Sequence, residues 1–361
     1  GDTPSGGVES VNANLVASLS QRKNLDIHIV QHRGHAKAGT TTFPSYTVYN
    51  LPTAGRRLIP NTLQTEKLAS DWLRQFQPDA VSSHHPSFTL AARDLGIPVV
   101  HTIHGMPAKE FWTRQGIYIR TATLAEIWLE WKMLRRTNHI IAISDQVVEI
   151  YGNRTSATFH RVNNPIAPLF FEPGPVPVPY RLLLVGSLTP RKGIEIAIEA
   201  IKSLLPKYPD LVLEIAGPPK NNDYVKLLRR QAAPLGSAIE FSGPVNQAGI
   251  KQALDRAQAL VLSSYEEHAP MVVAEAMACS RPVVATQVGG LTDMVEPGVN
   301  GHLAPAGDVE GVAEGIRKLL ADQEHAAKLG VNAALQARQR YHPEVVADGY
   351  LRAIREAMIK D

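Results

Sequence analysis

The sequence predicts an α/β protein with two parallel β-sheets, each wound with helices on both faces. Short apolar segments alternate with longer amphipathic segments along most of the 361 residues, which is typical of parallel sheets. A stretch with six prolines at 163–179 divides this pattern, because proline fits neither a central strand nor a helix interior. The length is sufficient for two domains of ordinary size. We therefore expect two Rossmann-like domains that face each other across a cleft.

The apolar segments give the expected strands, and the proline-rich stretch is expected to be an extended connector between the domains. The predicted strands are 26–30, 80–82, 98–102 and 139–143 in the first half, and 181–185, 212–216, 239–241, 259–262 and 282–285 in the second. A last helix at about 343–360 is expected to return to the first domain. The predicted domains are thus 1–168, 169–342 and the returning helix 343–361. Residues 1–9 resemble a loop that enters a helix, so we expect the usual first strand to be missing from the N-terminus.

The composition is that of a soluble globular protein, with 44% hydrophobic and 20% charged residues. No apolar run approaches the roughly 18 residues that a spanning helix needs. The single cysteine, Cys279, lies among small apolar residues, so it is predicted to be buried in a protein of a reducing compartment. No signal peptide is visible. The prediction is a cytoplasmic protein, with the inner face of the membrane as a peripheral alternative.

The charge is unevenly distributed. Residues 1–168 contain 17 Lys and Arg against 12 Asp and Glu, whereas the remainder contains 20 against 22. Nine of the 13 histidines also lie in the first half. A basic half indicates an anionic partner such as a phosphate or a lipid headgroup, and the excess is too small to indicate nucleic acid.

The most informative motif is a pair of glutamates eight residues apart, Glu267 and Glu275, after the apolar segment 259–262. Pro270 fits the first turn of a helix that begins after Glu267 and contains Glu275. Proline lacks a backbone N–H, and an N–H in the first turn of a helix would have no partner within the helix. Glu267 is then predicted in the loop after a strand, and Glu275 in the second turn of the helix. Ligands bind at that edge of an open α/β sheet, where two carboxylates accept hydrogen bonds from sugar or ribose hydroxyls. The pair indicates a sugar nucleotide, although this spacing alone is a weak signal.

A second motif, at 184–194, places Gly186 at the end of a predicted strand and Arg191 and Lys192 just before a helix. Glycine lets the backbone approach a ligand closely, and the two cations together with free helix N–H groups suit a diphosphate. The alternative interpretation is a solvated basic turn. The pair Gly289-Gly290 offers another glycine turn that leads into a helix and suits phosphate oxygens.

Taken together, these motifs resemble those of the retaining glycosyltransferases of family 4, which have the GT-B fold. The resemblance runs over nearly the whole chain and is strongest in 180–305. The motifs that carry it are Val-Gly-Ser-Leu-Thr-Pro-Arg-Lys-Gly at 185–193, Glu-x7-Glu at 267–275, Pro-Val-Val-Ala-Thr-x-Val-Gly-Gly at 282–290 and Gly-Gly-Val-Glu at 6–9.

The resemblance implies roles for the charged residues of the second half. Glu275 would bind the nucleotide ribose, and Glu267 would lie near the donor sugar or its phosphates. Lys192, helped by Arg191, would neutralise the diphosphate. Glu267 and Lys192 would thereby contribute to catalysis as well as to donor binding.

The resemblance also implies that Gly7 and the Gly289-Gly290 turn approach the donor through backbone N–H groups. Two positions depart from the family pattern. The family usually has arginine where Ser187 stands, so one diphosphate cation is either missing or supplied by Arg191. Ser280 occupies the place of an expected glycine, which puts the local turn geometry in doubt.

In the first half, the predicted strand 98–102 leads to a histidine that can face a ligand. Because alternate residues of a strand face one side, His104 at its tip is the better candidate than His101. The family resemblance implies that a histidine at this place contacts the donor sugar and supports catalysis. Without that resemblance, a lone histidine is more often a structural residue that forms hydrogen bonds. His84 and His85, at the tip of an earlier strand, are candidates for the acceptor side.

The segment 109–136 combines three of the four tryptophans, Trp112, Trp128 and Trp131, with six basic and three acidic residues. Tryptophan among basic residues is typical of a helix that lies at a membrane interface, so peripheral membrane contact is one prediction. The other, which we favour from the sequence alone, is an amphipathic helix that packs its tryptophans on the sheet.

The sequence thus predicts a metal-independent retaining glycosyltransferase that uses a nucleoside-diphosphate sugar and a hydroxyl acceptor, which can be a glycan, a lipid-linked or a small molecule. No Asp-x-Asp occurs, so the metal-chelating pair of the other common glycosyltransferase fold is absent, and no cofactor is expected. Two alternatives stay open: a sugar-nucleotide epimerase of the same two-domain plan, and a non-catalytic membrane-associated binding protein. An NAD oxidoreductase is disfavoured because no Gly-x-Gly-x-x-Gly follows a strand.

Overall fold

The computed structural model describes residues 7–32, 38–52, 61–105 and 117–360. The chain divides into two compact units. One, the C-terminal unit, consists of Asn164–Pro343 with Gly1–Ser10, and the other, the N-terminal unit, consists of Val11–Asn163 with Glu344–Asp361. The last segment of the chain therefore belongs to the N-terminal unit.

The N-terminal unit contains two sheets among its described residues, where the sequence led us to expect strands of a single parallel sheet. Its strands are β1 (His28–Gln31), β2 (Gly39–Phe43), β3 (Tyr46–Asn50), β4 (Val81–Ser83), β5 (Val99–Ile103), β6 (His139–Ala142) and β7 (Thr158–Arg161). Strands β4 to β7 form a parallel sheet in chain order, whereas β1 pairs in parallel with β3, which pairs antiparallel with β2. The prediction missed β2, β3 and β7, because these short strands are exposed or half-buried and lack a continuous apolar run.

The helices of the N-terminal unit are α1 (Gly7–Leu19), whose first residues belong to the other unit, α2 (Asn61–Phe76), α3 (Pro86–Asp94), α4 (Ile117–Leu134), α5 (Asp145–Tyr151) and the last helix, α13 (Pro343–Lys360). On α13, Tyr350 is almost fully buried, and its hydroxyl lies 3.2 Å from Oγ1 of Thr102 on β5. Asp348 of the same helix pairs with Arg22 at 2.7 Å. These contacts attach the returning helix to the unit it was predicted to join.

The C-terminal unit has one six-stranded parallel sheet with helices on both sides. Its strands are β8 (Arg181–Val185), β9 (Val212–Ala216), β10 (Ile239–Gly243), β11 (Ala259–Leu262), β12 (Val283–Thr286) and β13 (Gly301–Ala304), and its helices are α6 (Ile194–Leu204), α7 (Asn222–Ala232), α8 (Gln247–Arg256), α9 (Met271–Ala278), α10 (Leu291–Met294), α11 (Val309–Ala321) and α12 (Gln323–Tyr341). The strand order is β10-β9-β8-β11-β12-β13. Numbered within the unit this is 3-2-1-4-5-6, the doubly wound order of dinucleotide-binding folds.

Strand β8 shows why this sheet is buried on both faces. Leu182 and Leu184 belong to one apolar cluster, and Leu183 and Val185 belong to the other. Successive side chains of a strand point to opposite faces, so an unbroken apolar run fills two cores at once. Residues 182–185 are such a run, and strand β8 contains them.

The proline-rich stretch, which was predicted to be an extended connector between the domains, packs within the C-terminal unit. Phe170 and Ile166 are fully buried in an apolar cluster of the C-terminal unit, and a short 3₁₀ turn forms at Pro168–Phe171. The Ile166 N–H donates to the carbonyl of Tyr341 at 3.1 Å. The prolines keep the chain extended between anchors, while the apolar residues between them supply the packing.

Cys279 is buried, as predicted. Its thiol donates to the carbonyl of Phe170 at 3.4 Å, and burial raises the pKa of the thiol to about 12. Such a thiol is unreactive at neutral pH. Among the residues that the structure describes, there is no helix with the length and apolarity needed to cross a membrane.

Candidate active site

The candidate active site lies where the strand order of the C-terminal sheet reverses. Strands β8 and β11 are neighbours in the sheet. The strand that follows β8 in the chain, β9, lies on one side of this pair, and the strand that follows β11, β12, lies on the other side. The loops that follow these two strands therefore diverge and leave a crevice at their carboxyl ends, where open α/β sheets bind ligands. The loop after β8 contains Lys192, and the loop after β11 contains Glu267.

Lys192 and Glu267 form a buried ion pair across this crevice. The Lys192 ammonium group donates to Oε1 of Glu267, and the side chains are only 13% and 6% exposed. Ser264 donates its hydroxyl to the same carboxylate oxygen at 2.7 Å. Because an ammonium group has three protons, Lys192 retains donors for a second acceptor while Glu267 fixes its direction. The pair is neutral as a whole, and it holds the ammonium group of Lys192 in a fixed position at the ligand-binding edge.

Gly186 makes room for the lysine side chain. A Cβ at this position would lie 3.2 Å from Cε and 3.4 Å from Cδ of Lys192, so the lysine stem packs directly on the glycine backbone. The sequence predicted that Gly186 lets the backbone approach a ligand. In the structure the group that lies against it is Lys192.

Gly193 joins the two loops at close range. It has a left-handed φ of +54°, and a Cβ there would overlap the carbonyl oxygen of Ser263. The Ser263 hydroxyl in turn donates to the Gly193 carbonyl at 2.7 Å. Only glycine fits both the backbone angle and the contact.

We expect Gly193→Ala to destabilise the fold by about 3 kcal/mol or more, since strain and steric overlap add. Urea unfolding followed by circular dichroism measures this free energy. Gly298→Ala is the matched control: its φ is +77°, but a Cβ there meets nothing within 4 Å. It should cost only the backbone term of about 1–2 kcal/mol. Equal losses in the two variants would contradict the proposed close approach.

Arg191 is held against the second loop but remains exposed. Its Nη1 donates to the Glu266 carbonyl at 3.0 Å, and its own carbonyl accepts the Tyr265 N–H at 2.8 Å. The guanidinium therefore stands at the edge of the crevice with further donors available. It is placed to add to the charge of Lys192, as its sequence position suggested.

The start of α6 differs from the prediction of free helix N–H groups. The hydroxyl oxygen of Tyr224 accepts the Ile194 N–H at 2.9 Å, and the same hydroxyl donates to Glu195. Tyr265 also donates to Glu195, at 3.3 Å. The first N–H of α6 is thus already satisfied, and a carboxylate sits in its first turn. A diphosphate would have to be held by side-chain cations more than by this helix terminus.

Glu275 occupies the second turn of α9 with its carboxyl group buried. The residue is 5% exposed, and no hydrogen-bond or ion-pair partner is found for its carboxyl group among the described residues. Desolvation raises its pKa from 4.5 to about 8. A buried carboxyl without a protein partner is costly, so this position is suited to a ligand that supplies hydroxyl donors.

The Gly289-Gly290 turn is only partly available to a ligand. The Gly290 N–H donates to the backbone carbonyl of Glu267 at 3.2 Å, so this N–H already has a partner within the protein, and the approach of the turn to a donor stays a prediction. A Cβ on Gly290 would overlap the carbonyl oxygen of His268. The helix that follows, α10, is a single turn. These two contacts connect the turn to the Glu267 loop.

Ser280 keeps the geometry of the glycine expected in its place. It adopts a left-handed φ of +58° immediately after the end of α9. This is the conformation in which helices commonly end, and glycine favours it because it has no Cβ. The departure from the family pattern therefore leaves the turn unchanged.

In the N-terminal unit, histidines cluster at the carboxyl ends of β4 and β5. Nδ1 of His84 lies 2.7 Å from Nε2 of His104, and the two rings stack with their centroids 5.0 Å apart. His101 is buried on β5 and lies 2.7 Å from the Thr89 hydroxyl, which is a structural contact. Nδ1 of His85 accepts the Ser87 N–H at 3.2 Å and so caps α3.

These histidines are neutral at physiological pH. Burial lowers the pKa of His104 and of His85 to about 4 and that of His101 to about 3, and it lowers the pKa of His84 well below its usual range. In a neutral pair, one ring donates its proton to the other, so His84 fixes which nitrogen of His104 carries the hydrogen. A neutral imidazole can then bind a hydroxyl without introducing charge.

Of the predicted site residues, the structure brings together Gly186, Arg191, Lys192, Glu267 and Gly290. Glu275 lies on the helix after the Glu267 loop, and His104 belongs to the other unit. Gly7 is the first residue of α1, and the residues that precede it lie outside the described part of the chain. The sequence interpretation missed Tyr224, Tyr265 and Ser264, which carried no spacing signal. No group of three or more His, Cys, Asp or Glu that could hold a metal occurs in the described part of the chain.

Comparisons with known proteins agree over both units. Residues 169–336 match the family described as glycosyl transferases group 1, and residues 5–167 match glycosyltransferase family 4. Glycogen synthase of Mycobacterium tuberculosis is 31% identical over 300 residues, covering 79% of this chain and 69% of that protein. A D-inositol 3-phosphate glycosyltransferase of Kribbella flavida is 28% identical over 317 residues, covering 77% and 71%.

Solved structures show the same fold at low identity. Sucrose-phosphate synthase from Thermosynechococcus elongatus has a TM-score of 0.80 and 20% identity, covering 99% of this chain and 94% of that chain. Anabaena HepE in complex with UDP and glucose has a TM-score of 0.72 and 21% identity, covering 98% and 97%. The family matches over both units, together with the solved structures of the same fold, identify a GT-B glycosyltransferase. The chain belongs to glycosyltransferase family 4, the glycosyl transferases group 1.

Proposed function

We propose that this glycosyltransferase transfers a sugar from a nucleoside-diphosphate sugar to a hydroxyl acceptor, with retention of the anomeric configuration and without a metal ion. The observation that carries the proposal is the buried Lys192–Glu267 pair at the switch point of the C-terminal sheet. The buried carboxyl of Glu275 on the next helix supports it, since ribose hydroxyls can supply the donors that the protein does not. The complex of HepE with UDP and glucose makes uracil the first base to test.

In this mechanism, the bond between the anomeric carbon and the diphosphate oxygen breaks and negative charge accumulates on the leaving diphosphate. Lys192 stabilises that charge with its remaining ammonium protons, and Arg191 adds a second cation. A phosphate oxygen takes the proton of the acceptor hydroxyl as that hydroxyl attacks the same face of the sugar. Attack on the face that the diphosphate leaves gives retention. His104, neutral and oriented by His84, is assigned to a donor-sugar hydroxyl by the family resemblance.

The experiment is a thermal-unfolding panel with UDP, GDP and ADP in EDTA, followed by transfer assays with the matching sugar donors. A nucleotide at about 100 times its dissociation constant should stabilise the protein by about 2.7 kcal/mol. Glycogen and D-inositol 3-phosphate are the first acceptors to test, because two relatives are a glycogen synthase and a D-inositol 3-phosphate glycosyltransferase. NMR of the product then gives the anomeric configuration.

Each part of the proposal has its own contrary result. Stabilisation by none of the nucleotides would contradict the donor site. Conversion of the donor sugar without an acceptor would favour the epimerase alternative. An inverted anomer would contradict retention, and activity that is lost in EDTA and restored by Mn²⁺ would contradict metal independence.

A further inference from the structure

The outward side of helix α4 is apolar, which is unusual for a surface helix. Leu124, Trp128 and Trp131 are 54%, 51% and 50% exposed. They are spaced by four and three residues, so they lie on one side of the helix, and Arg135 continues that side one turn further on. We call Leu124, Trp128, Trp131 and Arg135 the tryptophan face. The expectation that these tryptophans pack on the sheet is wrong for Trp128 and Trp131, while Trp112 lies outside the described residues.

The opposite side of α4 already supplies the packing that attaches it to the unit. Leu129, Met133 and Leu134 are buried there, together with Glu130, whose carboxyl accepts the Tyr151 hydroxyl at 2.9 Å. The tryptophan face is therefore not needed for the core of the unit. A helix that is apolar on both sides usually buries both, and an ordinary surface helix is polar on its outer side.

Two cations, Arg135 and Lys132, border the tryptophan face. The Arg135 guanidinium lies 3.8 Å from the centre of the Trp131 ring, and the Lys132 ammonium lies 5.6 Å from that of Trp128. Lys132 also pairs with Glu66 at 2.8 Å. Burial raises the pKa of Glu130 to about 7, so this carboxyl contributes less than a full negative charge near neutrality. No carboxylate partner of Arg135 is found among the described residues.

We propose that the tryptophan face docks this glycosyltransferase on an anionic lipid surface. Tryptophan prefers the boundary between headgroups and acyl chains, because its ring is amphipathic. Arginine and lysine can extend toward lipid phosphates while their stems stay on the apolar side. The face is one side of a helix rather than a groove, which fits a planar surface. This site does not overlap the candidate donor site, because none of its four residues is among those assigned to the donor.

Vesicle co-sedimentation tests the proposal, with phosphatidylcholine vesicles compared with vesicles that also contain phosphatidylglycerol. The unchanged protein should sediment with the anionic vesicles and less at high salt, since the cations contribute. The Trp128→Ala, Trp131→Ala double variant should bind at least tenfold more weakly. Because both rings are half exposed, its thermal unfolding and nucleotide-dependent stabilisation should stay close to those of the unchanged protein. Arg135→Glu should weaken binding to anionic vesicles more than to neutral ones.

The matched control is the Val331→Ala, Leu335→Ala double variant. These residues are 57% and 58% exposed on α12 and are also four residues apart, but they lie in the C-terminal unit. Their removal should leave vesicle binding unchanged. The proposal is overturned if the unchanged protein does not sediment with anionic vesicles, or if the tryptophan variant sediments equally well. It is also overturned if analytical ultracentrifugation shows self-association that only the tryptophan variant loses, because the face would then bind a second copy.

Discussion

Lys192→Met is expected to lower kcat/KM of the glycosyltransferase by a hundredfold or more. Lys192 is the buried cation at the switch point, and its ammonium group is held by Glu267. Removing a single preorganised donor from the site where charge develops typically costs about 10²–10³ in rate. The measurement is steady-state transfer with the donor found in the nucleotide panel. Lys202→Met on α6 is the control, because Lys202 is 59% exposed and should not affect the rate.

The same substitution also leaves Glu267 without its partner, so a loss of fold has to be separated from a loss of chemistry. Removing one member of a buried pair costs about 3–5 kcal/mol. The Lys192→Met, Glu267→Gln double variant removes both charges, and Ser264 can still donate to the glutamine oxygen. We expect it to regain most of the unfolding free energy in urea but none of the activity. Recovery of transfer in the double variant would contradict the role of Lys192 toward the diphosphate.

How far the sequence predicts this fold depends on where the stabilising contacts lie along the chain. Strands β8, β9 and β11 begin and end where the apolar runs predicted, since each is buried on both faces. Strand β13 was missed, because its interior His302 and Leu303 are only half-buried and no apolar run marks them. The β2–β3 hairpin was missed for a similar reason: β2 is exposed along its whole length.

The site residues were predictable, but their contacts were not. Glycines and charged residues after predicted strands gave Lys192 and Glu267 as candidates, yet the two are 75 residues apart and their pairing follows from the strand order. The hydroxyl of Tyr224, which lies on α7 and is 30 residues further along the chain, accepts the first N–H of α6. A tyrosine inside a helix carries no signal for such a contact. The sequence therefore predicts which groups are present at the sheet edge, and the topology decides which of them are already paired.

Glu275→Gln is expected to change stability and nucleotide binding in opposite directions. Burial raises the pKa of the Glu275 carboxyl to about 8 in the folded protein, whereas its ordinary value, which applies to the unfolded chain, is 4.5. Between these values the folded state keeps a proton that the unfolded state has lost, so the unfolding free energy falls as the pH rises. The stabilising contribution is complete below pH 4.5 and is lost by the time the pH has passed 8.

Urea unfolding at pH 6 and pH 9 measures this effect. Two pH units of titration, from 6 to 8, correspond to about 3 kcal/mol of unfolding free energy, and Glu275→Gln should remove that loss. The variant should therefore gain stability relative to the unchanged protein at pH 9. Glu130→Gln is the control, since the pKa of this buried carboxyl is raised to about 7 but it lies in the N-terminal unit. It should reduce the pH dependence of stability as well, and it should leave nucleotide binding unchanged.

The binding arm uses isothermal titration with the nucleoside diphosphate that stabilises the protein. A carboxylate that accepts ribose hydroxyls favours the ionised form, so binding should release a proton and tighten as the pH rises from 6 to 8. Loss of a hydrogen bond to a charged group costs about 1.5–3 kcal/mol, so Glu275→Gln should weaken binding roughly 10- to 100-fold at pH 8. Unchanged affinity would contradict ribose recognition by Glu275. An unchanged pH dependence of stability would show that the carboxyl is already ionised in the folded protein, and that a partner other than the nucleotide balances its charge.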